Sequence, residues 1–256
     1  MTNYYKSKFY DFPIEVDNIW WELILTITDT LWRKVIYSWY DIISKQSNSN
    51  YITKCILWWL IEQIPKNVLI IWFWWWAYCK YLEDHISDIN ITGVDIDEVM
   101  FDISKKEFWI KSNNLMVMDW ENAIKELIIN WKEYDFILID VYWNNWNIPE
   151  NFNKKLIYEN IKKILNKNWA LAINFANYNW LNIWKYNKIH HFLKTIFWEN
   201  FIHILSDKET KWNVSWVYNL KKKYNSEEIN LSYLQKVKNW SILYDSNMIK
   251  NTIIKD

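Results

Sequence analysis

The stretch from Lys66 to Tyr81, KNVLIIWFWWWAYCKY, together with Ile89 to Asp97, INITGVDID, constrains this chain more than any other. The apolar run Val68–Ile71 reads as a parallel strand buried on both faces, and an acidic residue about 20 positions further on closes a second strand. Together they outline a nucleotide-binding βαβ unit. Such a unit normally carries glycines between strand and helix, because a turn without side chains lets backbone N–H groups approach a nucleoside closely. This chain has Trp72, Trp74, Trp75 and Trp76 there.

Composition bears on that substitution. Average usage of about 7% predicts roughly 18 glycines in a chain of this length. There is one, Gly93, beside 22 tryptophans. Tryptophan also stands where turn chemistry asks for glycine: Trp169 after Asn168, Trp131 before Lys132, and Trp143 and Trp146 among asparagines. We read most of these positions as glycine in the natural protein, UGA codons having been translated as tryptophan. Trp32, in the strand-like LWRKVIY, is a candidate for a genuine tryptophan. The alternative is a truly Trp-rich protein, with almost no residue suited to positive φ.

A chain of 256 residues forms one large domain, or a large domain with an appendage, and buries about 70% or more of its unfolded surface. Thirty basic and thirty acidic residues balance, so overall charge does not favour nucleic acid or an anionic membrane. Cys55 and Cys79 show neither metal spacing nor a disulfide framework, which fits a reducing cytoplasm. The start, MTNYYKSKFYDF, lacks the apolar core of a signal peptide. Val68 to Cys79 is too short to span a bilayer, and Lys66 and Lys80 bracket it. The expectation is a cytoplasmic protein acting on a small molecule, with no nucleic-acid or membrane partner.

In chain order, Trp21–Thr28 and Leu31–Tyr37 alternate polar and apolar residues around Asp29-Thr30, which predicts a hairpin, with a third strand near Tyr40–Ser44. Residues 1–50 therefore read as a small antiparallel β-domain. After a helical pattern at Tyr51–Ile64, strands are expected near Val68–Phe73, Ile89–Asp95, Leu115–Met118, Tyr134–Asp140 and Ala170–Phe175, with helices between them. Such alternation argues for an α/β sheet covered on both faces. Phe201–Leu205 and Val214–Leu220 read as an antiparallel pair finishing that sheet, so the second domain spans 51–220. The tail, 221–256, reads as a surface helix near Leu231–Lys238 and a loose end.

Five parallel strands ending in an antiparallel pair resemble the seven-stranded, Rossmann-like fold of class I S-adenosylmethionine-dependent transferases. Ligands of open α/β sheets bind beyond the carboxyl ends of the strands, and several acids fall there. Asp95 ends the second strand, where a carboxylate can accept hydrogen bonds from both ribose hydroxyls. Asp119 ends the third, placed to meet an adenine amino group, and Asp140 ends the fourth, facing the reacting centre. Each has an alternative reading as a helix N-cap, and Asp97 is read as the cap of the helix that opens at Glu98.

With glycine at the suspect positions the first loop becomes LIIGFGGGAY, the third strand end MDGENAI, the fourth YDFILIDVYGNNGNIPENF and the fifth LNKNGALAINF. These resemble the spermidine synthase (aminopropyltransferase) family and its spermidine-synthase-like relatives over about Trp20 to Leu220. The resemblance implies that Gln46, Trp72, Trp74, Trp76, Asp95 and Asp119 stand at cofactor-binding positions, with Tyr51 facing the site. It also implies that Asp140 and Tyr142 act on the acceptor, that the cofactor is S-adenosylmethionine or its decarboxylated form, and that the chain forms a homodimer. Two departures bear on the substrate. Trp75 stands where that family carries an acid in GGGDGG, and Val141, Tyr142 and Trp143 stand where it carries DSTDP-like sequence with a second acid. A polycationic amine needs several carboxylates to offset its desolvation, so putrescine is disfavoured.

The implied chemistry is displacement at a carbon bound to sulfonium, with Asp140 orienting an amine and accepting its proton. A methyltransferase on the same scaffold is the second reading, and a non-enzymatic Trp-rich binding protein the third. His85, His190, His191 and His203 form no metal spacing, and no metal is assigned.

Overall fold

The computed structural model describes residues 1–9, 13–28, 34–45, 64–71, 76–140, 150–175, 183–197, 201–207, 213–218 and 252–255. Strands β1 (Thr2–Tyr5), β2 (Ile14–Ile19), β3 (Glu22–Thr28) and β4 (Lys34–Asp41) form an antiparallel sheet in that order. The expected hairpin is β3–β4. The third strand expected near Tyr40–Ser44 is not separate: a register shift at Leu25/Thr26 lets β4 run on to Asp41, whose carboxylate then accepts the Ser44 N–H at 2.6 Å and closes a turn. Strands β1 and β2 escape a sequence reading because TNYY has no apolar run and Pro13 punctuates the approach to Ile14.

The second sheet holds β5 (Asn67–Ile71), β6 (Asn90–Asp95), β7 (Asn114–Val117), β8 (Tyr134–Ile139), β9 (Leu165–Phe175), β10 (Phe201–Asp207), β11 (Asn213–Tyr218) and β12 (Thr252–Lys255), in the order 12-10-11-9-8-5-6-7. Strands β7, β6, β5, β8 and β9 are mutually parallel. Strand β11 lies antiparallel between β9 and β10, as expected of the closing pair. Strand β12 pairs with β10, so part of the tail is an eighth strand and not a loose end; Leu231–Lys238 lies outside the described residues. Strand β9 starts earlier than expected, at Leu165, because an irregularity opposite Tyr134/Phe136 absorbs the turn-like Asn166–Trp169 within the strand.

Side chains alternate across a strand, and that alternation builds two cores. Val68 and Ile70, Phe136 and Leu138, and Ala170 and Ala172 face one; Leu69 and Ile71, Ile137 and Ile139, and Leu171 and Ile173 face the other. Helices α1 (Trp76–His85) and α2 (Glu98–Lys106) cover the first face. Helices α3 (Trp120–Ile129), α4 (Lys155–Lys163) and α5 (Ile183–Ile196) cover the second. Parallel strands buried on both faces read as continuous apolar runs, and VLII is one. The N-terminal sheet joins the first core through Ile14, Val16, Leu23, Leu25, Ile27 and Tyr40. It is also pinned by polar contacts: the Tyr40 hydroxyl donates to Asp84 at 2.7 Å, and Tyr5 donates to Glu107.

Five non-glycine residues among those described have positive φ, and three are tryptophans: Trp20, Trp109 and Trp131. Trp20 opens the two-residue β2–β3 turn, where Ile19 pairs with Glu22, a site that favours glycine. Trp131 comes after α3. Its N–H donates to the Ile128 carbonyl at 3.1 Å, and the Lys132 N–H donates to Leu127 at 3.0 Å. This is the Schellman pattern, whose left-handed residue is usually glycine. At φ 52° and 92% exposure Trp131 has backbone strain and little packing to offset it. Replacing it with glycine removes roughly 1 kcal/mol of left-handed strain, which raises Tm by about 2–4 °C. Thermal unfolding of Trp131→Gly beside Trp131→Ala tests this, since alanine keeps the Cβ; equal melting of the two variants contradicts it.

Candidate active site

Chain order runs from β5 outward to β6 and β7, then returns to β8 and β9 on the other side. The topological switch point therefore lies between β5 and β8, and the crevice beyond the carboxyl ends there is where open α/β sheets hold ligands. Ile71 is in register with Val94 on one side and Ile139 on the other. Asp95 and Asp140 are the next residues, so their backbones lie on either side of the end of β5, on strands about 10 Å apart. Both side chains are buried, at 4% and 2% exposure.

Asp140 is tied to the sheet by its N–H, which donates to the Ile71 carbonyl at 3.3 Å. Its Oδ1 accepts from the Asn174 side-chain Nδ2 at 2.8 Å. Asn174 lies one residue before the end of β9 and is itself buried. Sequence reasoning misses it. The available signal is the polar residue in ALAINF, where an asparagine interrupts an otherwise apolar stretch and must find partners indoors.

At the end of β6, Asp95 Oδ1 accepts the Asp97 N–H at 2.8 Å. Asp97 caps α2 as expected, accepting the Val99 N–H at 3.2 Å, and its second oxygen accepts the Ser7 hydroxyl. The segment after β1 is thereby fastened to the turn that carries Asp95. The Met118 N–H donates to the Asp95 carbonyl at 2.9 Å and ties in the end of β7. Asp119 Oδ1 caps α3 through Glu121 N–H at 2.9 Å and Asn122 N–H at 3.4 Å, so the capping alternative describes this oxygen. The adjacent Trp120 stacks on Phe152 at 4.1 Å.

Trp76 opens α1 and is wholly buried, with its ring 5.3 Å from Phe108 and no hydrogen-bond partner for its indole N–H. The next residue, Ala77, donates its N–H to the buried Ser38 hydroxyl of β4 at 3.1 Å, so the N-terminal sheet satisfies one orphan donor at the start of α1. Gln46, Tyr51, Trp72, Trp74, Trp75 and Tyr142 lie outside the described residues.

No group of three or more potential ligands able to hold a metal occurs among the described residues, and no helix among them is long and apolar enough to cross a membrane. His190, on α5, is pushed down to about 4 by burial and by the Lys194 charge. The unfolded chain therefore binds a proton near pH 6.5 that the folded chain refuses until about pH 4. Stability is highest above that window and falls by on the order of 2–3 kcal/mol as pH drops through it. Urea unfolding at pH 7 and pH 4.5 should show this loss reduced in His190→Gln; an equal loss in both chains excludes His190 as its source.

No family model matches the chain. By sequence, it is 34% identical over 89 residues to an uncharacterized protein of Plasmodium falciparum (isolate 3D7), a match spanning 35% of this chain and 9% of that protein. By structure, it is similar to a probable spermidine synthase from Corynebacterium glutamicum, with a TM-score of 0.75 and 13% identity over 100% of this chain and 91% of the other. Human methyltransferase-like protein 13, in complex with SAH, gives a TM-score of 0.62 with 16% identity, over 77% of this chain and 96% of that one. A spermidine synthase in complex with the transition-state analogue AdoDATO gives 0.56 with 11% identity, over 94% of this chain and 89% of the other. The fold is therefore α/β and Rossmann-like, a class I methyltransferase sheet preceded by a small antiparallel sheet.

Proposed function

We propose that this chain is a spermidine-synthase-like transferase that uses S-adenosylmethionine or its decarboxylated form. The observation that carries the reading is the pair of buried carboxylates, Asp95 and Asp140, on either side of the switch point, with Asp119 at the next strand end. The donor set suits the cofactor: Asp95 is a buried acceptor suited to the two hydroxyls of a ribose, and Asp119, two residues beyond the end of β7, would be placed to meet an adenine amino group. When bound, the sulfonium cofactor supplies an electrophilic carbon whose bond to sulfur breaks with its electron pair going to sulfur. Asp140 holds the nucleophile in line, and as the new bond forms it takes the proton that the nucleophile loses. Within this proposal, residues 51–220 form the transferase domain.

The acceptor end favours a second reading. Asp140 is followed by VYWNNWNIP, which contains no acid, so a dication there would lack counter-charge. Methyl transfer from the carboxylated cofactor needs only one. The proposal also takes Trp72, Trp74 and Trp75 as glycine positions of the natural protein, with UGA codons behind them. UGG codons there would overturn that part. The reaction itself is tested by titration calorimetry of the glycine-restored chain with each cofactor form. Preference for the decarboxylated form supports aminopropyl transfer, preference for the carboxylated form supports methyl transfer, and binding of neither removes the transferase reading.

A further inference from the structure

Asn174 is 2% exposed and makes one hydrogen bond through its amide nitrogen, to Asp140 Oδ1 at 2.8 Å. That bond fixes the amide's orientation, because the flipped amide would set its oxygen against a carboxylate oxygen. The carbonyl Oδ1 of Asn174 is then buried with no hydrogen-bond partner. Folding leaves a buried acceptor unpaired only at a cost, and such an atom beside a site carboxylate is accounted for by a ligand that supplies the hydrogen.

We propose that Asn174 is a specificity-determining residue that contacts the acceptor and selects a nitrogen nucleophile over an oxygen or sulfur one. This rests on the transferase reading only in calling the bound group an acceptor. Two acceptors side by side, the Asp140 carboxylate and the Asn174 carbonyl, call for two hydrogens on one atom. A primary amine or ammonium has them. A hydroxyl or thiol has one, and its binding leaves the Asn174 oxygen unpaired. Losing one buried partner amounts to about tenfold or more in affinity. The amide bond to Asp140 has a further effect: it holds that carboxylate in a fixed orientation beside the Asn174 carbonyl.

Nuclear magnetic resonance on the full chain tests the contact directly. The Asn174 side-chain amide signals, assigned by their loss in Asn174→Leu or, should that variant fail to fold, in Asn174→Ser, are followed at pH 7 during addition of n-propylammonium chloride and, separately, propan-1-ol. The expected result is a saturable shift with propylammonium, at least about tenfold weaker binding of propanol, and loss of the amine response in Asp140→Asn. Equal responses to the two probes, or none to the amine, overturn the proposal. The experiment needs no cofactor. A chain that binds S-adenosylmethionine without discriminating nitrogen from oxygen loses this inference and keeps the transferase reading, whereas one that discriminates but binds no cofactor does the reverse.

Discussion

In the proposed transferase, Asp140→Asn should lower turnover at least about a hundredfold while cofactor affinity stays within about threefold. The substitution is isosteric, so it leaves the packing at the end of β8 in place and removes only charge and proton affinity. Asn174 can rotate its amide to face either form, and Asp140 is held from below by its own N–H on Ile71. The fold should therefore survive. A displacement at carbon creates positive charge on the nucleophile, and without a carboxylate that proton must leave to water from a buried site. The assay is release of methylthioadenosine from the decarboxylated cofactor or S-adenosylhomocysteine from the carboxylated one, with calorimetry for affinity. Undiminished turnover would remove Asp140 from the chemistry. A loss of cofactor binding equal to the loss of turnover would make it a structural residue.

Legibility of the chain depends on which forces act locally. The central strands are legible because burial on both faces leaves unbroken apolar runs, as in VLII of β5 and FILI of β8, and acids mark the ends of two strands, Asp95 of β6 and Asp140 of β8. The N-terminal sheet is half legible. Its β3–β4 hairpin alternates clearly, but β1 is a four-residue strand held by pairing with β2 and by long-range contacts such as Tyr5 to Glu107. No local pattern encodes such contacts. Strand β12 is hidden for the same reason: TIIK gains its place only by pairing with β10, far away in sequence.

At the site, a strand-end acid announces itself, but its duty does not. Asp97 and Asp119 both cap helices, yet sequence alone favours that role only for Asp97. The difference between them lies in how their oxygens are engaged. Asp97 has one oxygen on Val99 N–H and the other on Ser7, while the capping bonds of Asp119 both fall on Oδ1. Ser7 and Ser38 cannot be found from spacing, since each meets its partner across the boundary between the two sheets. Asn174 can be found by asking what a buried asparagine bonds to.

Under the proposed reading, placing glycine at positions 72, 74 and 75 should convert a chain that binds no S-adenosylmethionine into one that binds it at micromolar Kd, about 8 kcal/mol of binding free energy. A strand-to-helix turn that binds a nucleoside needs backbone N–H groups free of side chains, and an indole is the bulkiest side chain such a turn could carry. Trp76 requires separate treatment. Its ring is part of the first core, against Phe108, and removing it leaves a cavity where about 3–5 kcal/mol of stability resides, offset in part by release of an unpaired indole N–H. The triple variant should therefore gain binding, and adding Trp76→Gly to it should cost at least about 2 kcal/mol in urea unfolding. If the fourth substitution costs under about 1 kcal/mol, the core tolerates glycine there and position 76 joins the loop. If the triple variant binds no better than the parent chain, the tryptophans are not what closes the cleft, and the Trp-rich binding protein becomes the reading to pursue.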